Sequence, residues 1–376
     1  MTLIPARTTD PELLAAAARG LTGALTFLVE DTAVTLRAEQ GHLVIEEGTD
    51  EGAAGGDVVV RVDRQAWDDL VHQVRTPINL LLSDALVFER GAFGDLADWE
   101  VALRYLLTGV PPYEPARTDL RGRDPRASHT LDDSDDELRE QLETMGYLHL
   151  RGVFSAEEVA AANSEVDRLA ALAAPGDEQS WWVTAEDDQQ KLCRLVYASQ
   201  RSEVLASLQD DHRVARLGQL LDPTLRLAPD RMEGTAVLIK VPGKTQGLSN
   251  IPWHQDCGMG GHAVLCPSIS IGIQLTGSSP ETGNLLMVPG SHGRALHVDW
   301  HKRLADAPIV EIDTAPGDVT VHVQDVMHAS PRPTTTGGRR TMYVTFYPAT
   351  LWDSIGPGEA YNDLVRNRTQ EIAALR

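Results

Sequence analysis

Residues 252–258 read PWHQDCG. On an extended strand, residues i and i+2 share a face. His254 and Asp256 then present an imidazole and a carboxylate side by side, while Gln255 points away. These are two of the three ligands of a 2-His-1-carboxylate facial triad, which leaves open positions on Fe(II) for an oxidant and a co-substrate. The surrounding text supports a strand. Beyond Gly234 the chain runs through TAVLIKV, SISIGIQL, NLLMVPG, IVEIDTA, DVTVHVQDV and TMYVTFY, separated by Gly and Pro. Many short strands with turn signals predict a sandwich, jelly roll or barrel.

A lone HxD is weak evidence, and the chain carries a second copy, His297-Val298-Asp299. Context separates them. The first follows the strand TAVLIKVPG and precedes a histidine and an arginine at useful positions; the second follows the turn VPGSHGR and is expected on a surface excursion. The third ligand must come from a distant strand. DVTVHVQDVMHASP (318–331) offers His322 and His328. His328 ends the apolar run, where a strand opens at a barrel mouth, and is the expected ligand; mid-strand His322 reads as a core or supporting histidine. GGRRTMYVTFY (337–347) follows. A dicarboxylate co-substrate such as 2-oxoglutarate needs a bidentate cation, and Arg suits that better than Lys. Arg339 shares a face with Thr341, Tyr343 and Thr345, whereas Arg340 shares one with Met342, Val344 and Phe346. Arg339 is therefore the expected clamp and Arg340 the outward residue.

Residues 137–348 resemble the phytanoyl-CoA dioxygenase family of Fe(II)/2-oxoglutarate oxygenases. The likeness begins at GYLHLRGVFSAEEV and continues through LIKVPGKTQGLSNIPWHQD, TGNLLMVPGSHGRAL, PGDVTVHVQDVMHASP and RRTMYVTFY. It implies a double-stranded β-helix, a jelly-roll or cupin-like barrel with flanking helices. It places His254, Asp256 and His328 on the metal ligands and Arg339 on the arginine that clamps 2-oxoglutarate. Lys240 falls on a position bordering the site, and Gly283, Pro289 and Gly290 on the turn motif. Halogenating relatives replace the carboxylate with a small residue, and this chain keeps Asp256. One departure stands out: many relatives carry an aromatic residue on the strand SISIGIQLTG, where this chain has Gly272 and Gln274. Gln274 either hydrogen-bonds 2-oxoglutarate or substrate, or satisfies backbone.

The implied chemistry uses Fe(II), with 2-oxoglutarate and O2 as co-substrates. Decarboxylation of 2-oxoglutarate to succinate accompanies hydroxylation of an unactivated C–H of a lipophilic small molecule or secondary metabolite, with desaturation or ring closure as diversions. A carrier with a degenerate oxygenase domain is the competing class. A zinc hydrolase on a cupin-like barrel is another, and it would not need Arg339.

The chain reads as α+β with two domains. Residues 1–109 open with a helix signal, Asp10 as cap and Pro11 at the first position, and Gly20 as stop. The segments ALTFLV, TAVTLRA and HLVIEE read as a strand meander; DVVVRV is another strand, and Asp63 can cap the helix RQAWDDLVHQV. The strand ALVFERG and the helix LADWEVALRYLL close the region at Gly109. An antiparallel sheet with helices results, and it resembles a sterol-carrier-like lipid-binding domain. It would deliver a lipophilic small molecule to the iron, or dock or pair two copies in a homo-oligomer. Residues 110–136, with VPPYEP and the acidic DDSDD, read as an extended, solvated linker, and 137–376 as the oxygenase domain.

The formal net charge of −22 and pI near 4.9 repel nucleic acid and anionic lipid, so neither is an expected partner. Cys193, Cys257 and Cys266 form no zinc-finger or disulfide pattern. The N-terminus MTLIPARTTDPELL lacks a signal peptide's layout, and no apolar run is long enough to span a membrane. A cytoplasmic protein is expected.

Overall fold

The computed structural model describes residues 10–39, 41–49, 57–72, 74–185, 188–242, 245–246, 251–256, 268–297, 306–335 and 338–354. Cys257, Cys266, Asp299 and everything after residue 354 lie outside them. No helix among the described residues is long and apolar enough to cross a membrane.

The N-terminal region starts with α1 (Pro11–Ala17), where the Asp10 side chain accepts from the Glu12 N–H at 2.8 Å. A five-stranded sheet follows: β1 (Gly23–Val29), β2 (Thr32–Glu39), β3 (His42–Thr49), β4 (Val58–Val62) and β5 (Leu86–Arg90), in the order β3-β2-β1-β4-β5. Asp63 caps α2 (Arg64–Val71), accepting from the Ala66 N–H at 2.7 Å. The helices α3 (Pro77–Leu82), α4 (Phe93–Ala97) and α5 (Glu100–Leu103) lead into a π-turn over Arg104–Thr108, ended by Gly109 at φ +78°. Phe27, Leu36, Trp67, Leu80 and Leu106 share one core.

Three expectations need correction here. The sheet is mixed, because β4 runs parallel to β1. The meander β1-β2-β3 leaves the far edge of β1 free, and β4, running the same way as β3, fills that edge. α3, capped by Thr76, goes unread in the sequence, because PINLLL is short and has no periodic face to count. Residues 110–136 are not uniformly solvated. The prolines keep VPPYEP extended, but Val110 and Tyr113 are buried, and Tyr113 packs with Val288, Leu296 and Met327. Its backbone N–H donates to the Ala295 carbonyl at 2.9 Å and its hydroxyl to the Pro289 carbonyl at 3.2 Å.

Ser134 then caps α6 (Asp135–Met145), so the acidic run DDSDD is a helix start with carboxylates at the positive end of the dipole. β6 (Tyr147–Leu150) precedes α7 (Ala156–Leu172), whose capping box is complete: Ser155 and Glu158 exchange backbone and side-chain bonds at 3.2 and 2.7 Å. β7 (Ser180–Ala185) and β8 (Gln190–Leu195) form a hairpin, followed by α8 (Glu203–Gln209), α9 (His212–Gly218) and β9 (Arg226–Leu227). The barrel strands are β10 (Ala236–Ile239), β11 (Thr245–Gln246), β12 (Ile251–His254), β13 (Ile269–Gln274), β14 (Leu285–Met287), β15 (Val310–Ile312), β16 (Val319–Val323), β17 (His328–Ser330) and β18 (Arg340–Tyr347).

The large sheet runs β11-β7-β8-β10-β18-β13-β16-β6, and the small one β12-β17-β14-β15. From β12 to β18 the chain passes back and forth between them, giving the double-stranded β-helix. Strand alternation divides the large sheet by face. Ile269, Ile271, Ile273, Val319, Val321, Met342 and Val344 join the core beneath α6 to α9. Their neighbours Ser270, Gly272, Gln274, Thr320, His322, Thr341 and Tyr343 take the opposite, inner face.

Candidate metal centre

β12 pairs with β17, setting His254 opposite His328. The ring centroids lie 4.2 Å apart. Asp256 follows just beyond the strand, its backbone N–H held by the Gln324 carbonyl at 2.7 Å. Its Oδ1 is 3.2 Å from His254 Nε2 and 3.8 Å from His328 Nε2, and one donor atom of each of the three residues lies within 4.8 Å of the others.

The tautomers suit a metal. His254 Nδ1 faces the Pro252 carbonyl at 2.8 Å and His328 Nδ1 faces the Val326 carbonyl at 3.0 Å. A carbonyl only accepts, so each Nδ1 carries the proton and each Nε2 lone pair points at the shared centre. Burial, then the neighbouring His254, pushes His328 down to about 3, which keeps it neutral near pH 7. Burial would raise the Asp256 carboxyl, but His328, His254 and His322 around it hold it well below the usual carboxylate range. Two imidazoles and one carboxylate result, a donor set that fits Fe(II).

His322 is buried on β16 and reaches the other carboxylate oxygen, with Nε2 3.4 Å from Asp256 Oδ2. It sits behind the triad, supporting Asp256 rather than completing the cluster.

Arg339 lies inward, 1% exposed. Its Nε donates to Thr341 Oγ1 at 2.9 Å, Nη1 to the Gly283 carbonyl at 2.9 Å and Ser330 Oγ at 3.3 Å, and Nη2 to Tyr343 Oη at 3.1 Å. Among the described residues no carboxylate pairs with it. Ser330 sits two positions after His328 on β17, so the guanidinium lies roughly 7 Å along that strand from the triad histidine. Gly283 has φ +77°, and an added Cβ would stand 2.2 Å from the Pro331 carbonyl oxygen, so only glycine places its carbonyl there. Arg340 points outward to Asp167 (2.7 Å) and Asn163 (3.3 Å) on α7.

Gln274 is buried with its amide committed to neighbours: Oε1 accepts from Thr341 Oγ1 at 3.0 Å, and Nε2 donates to the Gly272 carbonyl and Thr320 Oγ1, both at 3.2 Å. It therefore acts on Arg339 through Thr341. The buried Lys240 Nζ donates to the Ser330 carbonyl, and burial, then Arg339, pushes Lys240 down to about 6. Of the turn motif, the Gly290 N–H donates to the Met145 carbonyl at 2.9 Å and the Pro289 carbonyl takes the Tyr113 hydroxyl.

The second HxD is corrected in part. His297 is buried, not on a surface excursion, with Nε2 3.6 Å from Asp98 Oδ1 of the N-terminal region; Asp299 lies outside the described residues. The structure supplies partners for two residues to which the sequence reading gives none. Gln255 accepts a bond from Arg104, and nothing local signals a partner 151 positions away. Tyr343 stands across from Gly272, its ring in the space that a side chain at 272 would take.

Residues 142–341 match the phytanoyl-CoA dioxygenase (PhyH) family. The chain belongs to that family. The ectoine dioxygenase of Stutzerimonas stutzeri (strain A1501) is 31% identical over 166 residues, 42% of this chain and 50% of that protein. The chain thus spans about half the length of the curated relative it matches. Among solved structures, EctD from S. alaskensis with 2-oxoglutarate and 5-hydroxyectoine is 21% identical with a TM-score of 0.48, covering 60% of this chain and 82% of that chain. The non-heme alpha ketoglutarate dependent epimerase SnoN from nogalamycin biosynthesis is 22% identical with a TM-score of 0.45, covering 57% and 83%. Within the family match lie His254, Asp256, His328, Arg339, Lys240 and Gln274.

Proposed function

We propose that this chain is an Fe(II)- and 2-oxoglutarate-dependent oxygenase that hydroxylates an unactivated C–H bond of a small molecule while 2-oxoglutarate is converted to succinate. The observation that carries the reading is Arg339: a buried guanidinium without a carboxylate among the described residues, on the inner face beside the strand of His328. A buried charge needs a counter-charge, and a short dicarboxylate has one end for Arg339 and one for the metal. Family membership supports the same reaction class.

His254 and His328 would hold iron through Nε2 and Asp256 through Oδ1. Bound iron would supply the means for O2 to act as the oxidant, one oxygen atom going to 2-oxoglutarate as it loses CO2 and becomes succinate and the other to the substrate C–H. Arg339 would bind and orient the far carboxylate, with Thr341 and Gln274 fixing its Nε edge and Gly283 and Ser330 its Nη1 edge. The polar inner-face residues Ser270, Thr320, Thr341 and Tyr343 favour a substrate bearing polar groups. They give no support to the lipophilic substrate suggested by the resemblance of residues 1–109. That region has its core filled by Trp67, Phe27 and Leu36, which supports docking over delivery.

The test is succinate formation from 2-oxoglutarate by full-length protein with Fe(II) and O2, compared with Asp256→Ala. Iron-dependent succinate lost in the variant supports the reading. Ligand binding without turnover would favour a carrier, and zinc-dependent hydrolysis would favour the hydrolase.

A further inference from the structure

We propose that Arg104 of the N-terminal region is a positioning residue for the metal centre, acting through Gln255 between the two ligands of the HxD segment. The inference rests on the metal-centre reading above.

Residues 251–256 carry two of the three ligands on one very short piece of chain. The ladder holds them at few points: Ile251 pairs with Ser330 and His254 with His328, with an irregularity between. Asp256 adds one backbone bond, to the Gln324 carbonyl. Such a strand is free to roll about its own axis, and rolling swings both ligand side chains together. β12 ends at His254, and Gln255 and Asp256 follow it without a strand partner of their own, so a hold on the Gln255 side chain fixes the angle at which the flanking His254 and Asp256 side chains leave the backbone.

Gln255 is held in this way. Its Oε1 accepts from Arg104 Nη1 at 2.7 Å, while its Nε2 donates to the Asp325 carbonyl and, at 3.4 Å, to the Arg294 carbonyl. The amide orientation follows from chemistry, because a guanidinium can only donate and carbonyls can only accept. Asp325 lies three residues before His328, so the same amide ties the HxD segment to the loop that delivers the third ligand. Arg104 is itself buried and opens the π-turn Arg104–Thr108, an element often found at functional sites. The surface around this contact is also fixed: the Ala295 N–H donates to the Pro111 carbonyl at 2.9 Å, and His297 faces Asp98. Arg294, whose carbonyl touches Gln255, belongs to the same turn.

Groups that support metal ligands typically change metal affinity about 10–100-fold when removed. The full-length chain should be titrated anaerobically with Fe(II) alone, by calorimetry, in wild type, Arg104→Met, Gln255→Met, the double variant and Arg104→Lys. Thermal melting of each apo protein runs alongside. Each Met variant should bind Fe(II) about 10–100-fold more weakly. The double variant should be no worse than the weaker single one, and Arg104→Lys should recover part of the loss. If Arg104→Met does not fold, Gln255→Met probes the same contact. Two results overturn the inference: a lowered melting temperature with wild-type Fe(II) affinity, or losses that simply add in the double variant. Failure of the wild type to bind Fe(II) is a different outcome, which overturns the metal-centre reading and this inference with it.

Discussion

Replacing Arg339 with Ala removes a buried guanidinium that pairs with no carboxylate among the described residues. Two costs are separable. On the protein side, the cradle closes without the guanidinium: Ser330 Oγ still donates to the Gly283 carbonyl at 3.0 Å, and Thr341 Oγ1 to Gln274 Oε1 at 3.0 Å. Removing a buried charge also relieves its desolvation, so stability should change by no more than about 1–3 kcal/mol. On the ligand side, one partner of a charge-assisted pair disappears and leaves a carboxylate without its counter-charge. That typically costs about 2–5 kcal/mol, or roughly 30-fold to several-thousand-fold in the 2-oxoglutarate requirement. Arg340 is the matched control one residue away. Its pair with Asp167 is on the outer surface, where such pairs contribute about 0–1 kcal/mol. The assay is succinate formation against 2-oxoglutarate concentration at saturating iron, with direct binding of 2-oxoglutarate to the iron-loaded protein. Arg339→Lys should fall between, keeping charge and losing the fork. A raised requirement in Arg340→Ala with none in Arg339→Ala would refute the assignment of strand faces and the clamp.

His254→Ala, Asp256→Ala and His328→Ala should each abolish Fe(II) binding and turnover with little loss of fold, while His322→Ala should bind iron about 10–100-fold more weakly; an iron titration in which His322→Ala loses iron and His328→Ala keeps it would reverse the ligand assignment. Gly272→Ala should destabilise the protein by about 1–3 kcal/mol in a denaturant titration, because its Cβ would stand 2.8 Å from Thr320 Oγ1 and 3.0 Å from Tyr343 Cε1; unchanged stability would show that the inner face yields easily. Lys240 is pushed from 10.5 down to about 6 by burial, so its contribution to stability is fully present above about 10.5 and is lost as pH falls towards 6, where the unfolded chain binds the proton that the fold refuses. Thermal stability of the apo protein should therefore rise with pH across that window, and Lys240→Met should flatten the slope; an equally steep slope in the variant would sink this account.

Much of the candidate metal centre's geometry was legible because its signals are local. The i, i+2 spacing of HxD brings His254 and Asp256 together although the strand itself ends at His254, and alternation alone separates Arg339 from Arg340. The capping boxes and caps at Asp10, Asp63 and Ser155 were legible for the same reason. What stayed hidden depends on tertiary pairing. Nothing in DVVVRV says that it will lie parallel to β1, since that follows from which sheet edge is free. Nothing in VPPYEP says that Tyr113 will be buried, since the apolar site it fills is assembled from residues 288–327. Arg104 reads as an ordinary helix residue until Gln255 is brought to it across 151 positions.

The absence of an aromatic residue on β13 is explained by the register between β13 and β18. Gly272 pairs with Tyr343, and both face inward. The Tyr343 ring lies over the glycine, with Cε1 3.0 Å from where a Cβ at 272 would stand. An aromatic side chain at 272 and one at 343 could not share that space, so of this cross-strand pair only the residue on β18 carries a ring. The exchange has a chemical consequence. A tyrosine at 343 brings a hydroxyl within 3.1 Å of Arg339 Nη2. The ring over Gly272 is thereby tied to Arg339. Arg339 is held at Nε by Thr341, at Nη1 by Gly283 and Ser330, and at Nη2 by Tyr343, so three edges of the fork are fixed before any anion arrives. Preorganisation of this kind lowers the cost of ordering a flexible side chain on binding. It also ties the small residue on one strand to the large one on the next, since enlarging Gly272 displaces the ring that steadies the arginine.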